Sequence, residues 1–126
     1  MHVYLHRCAI QTSSFQSPVS ASPEVERLWA AHVARTYSYK EFCASEGVYL
    51  HYRPRERADP AVYAFTLRLY EALFGDDPPL HWWPPADPVE ASRWERAWTR
   101  ATALSSSGPF DRLVRCAMDE YDKLSA

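Results

Sequence analysis

The chain's densest run of reactive side chains is VERLWAAHVARTYSYKEFC, Val25 to Cys43. Trp29, His32, Val33 and Thr36 share one side of a helix at these spacings. Tyr39 and Cys43, four residues apart, share a side of the next turns. His51 and Tyr52 follow on a short apolar stretch. An imidazole beside a phenol or carboxylate is equipment for general acid–base catalysis. His32 and His51, with Glu26 and Tyr39, are therefore the candidate catalytic groups. Trp29, Cys43, Tyr52, Trp82 and Trp83 are candidates to line a ligand pocket, since such pockets combine apolar rings with a few polar groups.

Two other chemistries compete for the same residues. Imidazole and thiolate suit zinc, and His32, Cys43 and His51 with Glu26 or His81 would be the ligands. Zinc sites usually draw on closely spaced ligand pairs, and no two of these residues form such a pair. An imidazole can also activate a cysteine nucleophile. For Cys43 a buried structural role competes, as does simple core packing for the tryptophans. No organic cofactor is expected. The chain has 3 glycines, no glycine-rich phosphate loop and no G-x-S-x-G elbow.

These residues need elements to hold them. Ser22-Pro23 is an N-cap followed by a proline at the first helical position, so a helix starts there. Ser38 and Glu41 have the spacing of a capping box. That spacing predicts a restart near Tyr37 and a second helix ending at Gly47. VYLHYRP, Val48 to Pro54, reads as an extended segment, able to form a minor strand pair with Val3–Leu5. Asp59-Pro60 opens another helix, with Val62, Phe65, Leu69 and Leu73 as its buried stripe and Gly75 as its stop. In GDDPPLHWWPPADP the prolines stiffen a connection on which Leu80, Trp82 and Trp83 are expected to dock. Asp87-Pro88, with Glu90 completing a D-x-x-E box, starts a helix whose stripe is Trp94, Ala97, Trp98, Ala101 and Leu104. A last helix runs from about Phe110 to Leu124.

The expected architecture is mainly α: a small bundle of four to five helices with a short extended segment. Residues 1–22 read as an N-terminal arm and 23–126 as one domain. In 126 residues, 47% hydrophobic and 24% charged content is ordinary for a globular chain, while 14% aromatic is high. The net charge of −2, with scattered basic residues, argues against nucleic acid as a partner. The alternating Arg53, Arg55 and Arg57 read as a solvated loop. Three widely spaced cysteines, Cys8, Cys43 and Cys116, fit a reducing, cytoplasmic setting rather than a disulfide framework. No run of 18 apolar residues predicts a membrane span, and the first ten residues are too polar for a secretory leader.

The order Val25-Glu26, Trp29, His32, Val33, Thr36, Tyr39, Cys43, then Gly47, Leu50-His51 and Pro54, then Leu73-Phe74-Gly75, resembles the glycine-rich-domain-protein-like family of small bacterial proteins and plant N-terminal regions. The resemblance covers about residues 22 to 85. The family's motif reads roughly V-D-x-x-W-H-x-H-I-L-x-T-x-x-Y-x-x-x-C, followed by F-G-x-x-L-H-H-x-P. Here its first histidine is Ala30, the second of its H-H pair is Tyr52, its aspartate is Glu26, and one residue is missing before Val48. The resemblance implies a helical fold and a site between the first helix and the 48–54 segment, with a reduced histidine cluster. It implies no reaction.

The sequence therefore points first to a domain that binds a small organic ligand, or a protein partner, through an aromatic and histidine-lined pocket. The alternative is a cofactor-independent acid–base enzyme of cyclase, isomerase or dehydratase type in specialised metabolism; the second alternative is a metal-binding domain. The site readings share one spatial expectation, that the imidazoles of His32 and His51 face the same enclosed space.

Overall fold

The computed structural model describes residues 21–47, 59–75, 77–105 and 108–125. Among the described residues every regular element is a helix: α1 Pro23–Ala34, α2 Thr36–Glu46, α3 Pro60–Phe74, α4 Pro88–Leu104 and α5 Phe110–Ser125. The small helical bundle expected from the sequence is thus present. The Val3–Leu5 arm and the 48–54 segment, with the strand pair expected between them, lie outside the described residues.

Local chemistry starts three of these helices. The Ser22 hydroxyl accepts from the Val25 N–H at 3.1 Å. Asp59 Oδ1 accepts from Ala61 N–H at 2.9 Å. Asp87 Oδ1 accepts from both Val89 (2.9 Å) and Glu90 (3.2 Å). Each cap precedes a proline, which has no N–H to orphan and a φ already suited to the helix. Glu90 does not close the expected reciprocal box. Its carboxylate is engaged by Arg93 (3.1 Å) and by the Tyr121 hydroxyl. Gly47 and Gly75 end α2 and α3 at φ of +89° and +75°, where a side chain would strain the backbone.

The break between α1 and α2 falls earlier than the capping-box spacing predicts. Arg35 leaves the helical region (φ −91°, ψ 75°), and its N–H bonds back to His32 O at 3.0 Å. α2 begins at Thr36, with no side-chain cap from Arg35. Ser38 thus sits inside the first turn of α2, and its hydroxyl lies 3.5 Å from His32 Nε2. Contact with another side chain, rather than a local backbone cap, occupies that serine.

The main core lies among α3, α4 and α5. Phe65 and Leu69 from α3 meet Trp94 and Trp98 from α4, while the small Ala97, Ala101 and Ala117 let α4 and α5 approach closely around Val114. Trp94 stacks on Tyr121 (4.1 Å between ring centroids, 11° between planes) and donates its indole N–H to Ala61 O at 2.9 Å. Two stripe or docking expectations fail. Leu104 is 69% exposed, because it closes α4 at the turn into α5, past the end of the facing stripe. Leu80 is 72% exposed on the proline-rich loop; the loop docks through its tryptophans instead.

That docking makes a second, smaller core. Trp83 and Val25 are its buried centre, with Trp29, Tyr63, Leu67 and Trp82 packed around them. Polar bonds clamp the same loop from two sides. The Ser22 hydroxyl donates to Trp82 O, and the Tyr63 hydroxyl donates to Pro84 O at 2.7 Å. The loop therefore joins the start of α1 to the middle of α3.

Candidate functional site

Of the residues the sequence offers for chemistry, Trp29, His32 and Tyr39 converge where α1 meets α2. The Trp29 indole N–H donates to the Tyr39 hydroxyl oxygen at 2.9 Å. The His32 and Tyr39 rings meet edge-to-face at 5.2 Å, and Phe42 adds a third ring at 5.3 Å from His32. Tyr39 and Cys43 are almost fully buried, on one side of α2. The break at Arg35 permits this meeting, since it redirects the chain between α1 and α2.

Glu26 does not join them. It lines a shallow surface hollow with Pro23, Arg27 and Ala30, a different side of α1 from His32. The helical period explains the separation: six residues place Glu26 and His32 about a third of a turn apart. His51 and Tyr52 lie outside the described residues, as does the expected pairing of the two imidazoles. Among the described residues no group of three or more His, Cys, Asp or Glu side chains is placed to hold a metal ion. His81 is exposed on the loop, edge-on to Trp82 at 5.1 Å.

The five tryptophans divide by element. Trp94 and Trp98 belong to the α3–α5 core, whereas Trp29, Trp82 and Trp83 belong to the loop cluster. Trp94 therefore does not share a wall with Trp82 and Trp83, and it packs in the helix stripe where the sequence places it.

A cleft of about 410 Å³ opens on the far side of Trp83, between α3, the loop and the start of α4. Its apolar wall includes Ala64, Leu67, Trp83, Pro85 and Ala86, and Leu80 stands at it exposed. Its polar lining is Arg68, Glu71, Asp77 and Glu95. The Arg68 guanidinium is held on three sides: Nη1 lies 3.2 Å from Glu71, Nε lies 3.3 Å from Glu95, and the group sits 5.0 Å from the centre of the Trp98 ring. Burial pushes the Glu71 carboxyl above its ordinary range; Arg68 opposes the shift, while Asp77 and Glu95 add to it. Desolvation and carboxylate repulsion outweigh the one guanidinium. Trp83 is 2% exposed, and its indole N–H has no hydrogen-bond partner among the described residues.

The sequence pointed to Trp83 but missed Arg68, Glu71, Asp77 and Glu95. A partial signal was present. Ala64, Leu67, Arg68 and Glu71 fall at helical spacing beside the core stripe of α3, which marks a second face with its own surroundings. What that face meets is set by a loop and a helix far along the chain.

A smaller hollow of about 190 Å³ lies across the bundle, lined by Val62, Phe65, Trp94, Met118 and Tyr121. Burial and the hydrogen bond to Glu90 raise the pKa of Tyr121, so its hydroxyl serves there as a donor to that carboxylate.

No helix among the described residues is long and apolar enough to cross a membrane. No family model, curated protein or solved structure matches the chain.

Proposed function

We propose that this protein is a binding domain for a small organic molecule and that the α3–loop–α4 cleft is its binding site. One observation carries the reading: a cleft of about 410 Å³ joins an aromatic and aliphatic wall to four charged side chains. Its volume falls within the range of small-molecule sites, roughly 300–1,000 Å³, and its lining has their character, apolar with a few convergent polar groups. The cleft-side loop is fastened by Ser22 and Tyr63, so much of the site is formed before a ligand arrives, which lowers the ordering cost of binding. The resemblance to the glycine-rich-domain-protein-like family belongs to this proposal as a statement of ancestry, with the ligand site moved from the histidine cluster to the loop.

The test is a fragment screen read by amide chemical shifts on the isotope-labelled chain. Hits that shift Leu67, Glu71, Leu80, Ala86 and Ala91 together support the site. Hits confined to other surfaces, or no hits, overturn it.

A second reading, acid–base catalysis at His32, draws on the grouping of its imidazole with the Ser38 hydroxyl and the Tyr39 ring. It expects a His32→Ala variant to stay folded and lose turnover of a substrate bound by the wild type. Equal turnover in the two proteins rejects it.

A further inference from the structure

We propose that the ligand of the α3–loop–α4 cleft is a small organic cation, an amine or guanidinium on a flat apolar body, held by Glu71, Asp77 and Glu95. This rests on the binding role proposed above and adds to it the chemical class of the ligand.

The charge balance of the lining makes the argument. One guanidinium faces three carboxylates, an excess of two negative charges at neutral pH. Arg68 is not free to greet an anion: it is bridged to Glu71 and Glu95 and lies over Trp98. Turning toward an anionic ligand would break two ion pairs and leave three carboxylates around the newcomer. A neutral ligand would drive water from those carboxylates and return nothing to them, which is costly for charged groups. A cation supplies the missing charge where the excess is greatest. Burial is the first cause that raises the Glu71 pKa, and Asp77 and Glu95 add to it against Arg68.

The apolar half of the lining sets the rest of the ligand. Leu67, Pro85 and Ala86 offer a surface for a ring or short hydrocarbon, backed by the buried Trp83 and Ala64, and Leu80 at 72% exposure provides further apolar contact. Trp83 also carries a buried N–H with no partner among the described residues.

Calorimetric titration of the full chain with three matched indoles tests this: tryptamine (cation), tryptophol (neutral) and indole-3-propionate (anion). Tryptamine is expected to bind at least about tenfold more tightly than tryptophol, with the anion weakest, because a partly desolvated charge pair discriminates by about that factor. The preference should shrink as salt rises. It should fall to within about threefold in the Glu71→Gln, Asp77→Asn double variant, because both changes preserve shape and remove charge: tryptamine loses its partner, while tryptophol no longer displaces water from two carboxylates. Amine and alcohol binding equally would overturn the charge assignment and leave the binding role standing. A tenfold preference that survives the double variant would overturn it too, by placing the cation elsewhere. If none of the three binds, both proposals fall.

Discussion

The indole nitrogen of Trp29 and the phenol oxygen of Tyr39 lie 2.9 Å apart, joining α1 to α2 ten residues further along. The body of the same indole packs into the Trp83 cluster. Trp29 therefore ties α1 to α2 and fastens both to the loop that walls the cleft. Tyr39→Phe removes this hydrogen bond and keeps the ring contact with His32. It should cost about 1 kcal/mol, read as a lower urea midpoint with an unchanged slope. No change in midpoint would mean that the bond does not hold the two helices together.

Ser22 makes a larger prediction. Its hydroxyl caps α1 at Val25 and donates to Trp82 O, and the residue is fully buried. Ser22→Ala should cost about 2 kcal/mol, the sum of a cap and a buried hydrogen bond. Among the described residues the exposed caps Asp59 and Asp87 have only local partners, so their alanine variants should each cost about 1 kcal/mol. Denaturant midpoints rank the three. Indole emission should shift at low denaturant in Ser22→Ala alone, because only that change loosens the tryptophan loop.

Tyr63 predicts alkaline behaviour. Burial, and then the nearby negative charge of Glu24, push its hydroxyl up to about 12, while an unfolded tyrosine titrates near about 10. A raised folded pKa contributes stability that is fully present below pH about 10 and is lost as pH rises through about 12. The loop should loosen over that window as the bond from Tyr63 to Pro84 O is lost. Tyr63→Phe should lower stability by about 1 kcal/mol at neutral pH and remove one late tyrosinate transition from the absorbance titration. A titration that keeps its late component in the variant would assign it to another tyrosine.

Glu71 predicts the acid side. Its folded pKa is raised by burial, and by Asp77 and Glu95, against the pull of Arg68. The stability that its protonation contributes is fully present below the ordinary carboxylate range and is lost as pH rises through the folded value. At neutral pH the ionised carboxylate is then a net liability. Glu71→Gln should leave the melting temperature at pH 7 equal to or above that of the wild type, and the gap should close on acidification. A clear drop at pH 7 would show that the ion pair with Arg68 outweighs the burial cost.

What the sequence determined is where the backbone starts and stops being helical. Ser22-Pro23, Asp59-Pro60 and Asp87-Pro88 begin helices, and Gly47 and Gly75 end them, because capping and left-handed termination involve atoms only a few residues apart. Trp29, His32 and Tyr39 meet across one short turn between their helices, but the spacing alone did not prove that meeting. Tertiary structure decided the rest. Ser22 finds Trp82 sixty residues away; Ser38 turns to His32 instead of capping its own helix; Leu80 and Leu104 remain exposed while Trp83 is buried. The cleft itself is assembled from α3, the proline-rich loop and α4. Its charge excess depends on which carboxylates those segments carry to Arg68, and periodicity along one helix says nothing about the distance from its face to another.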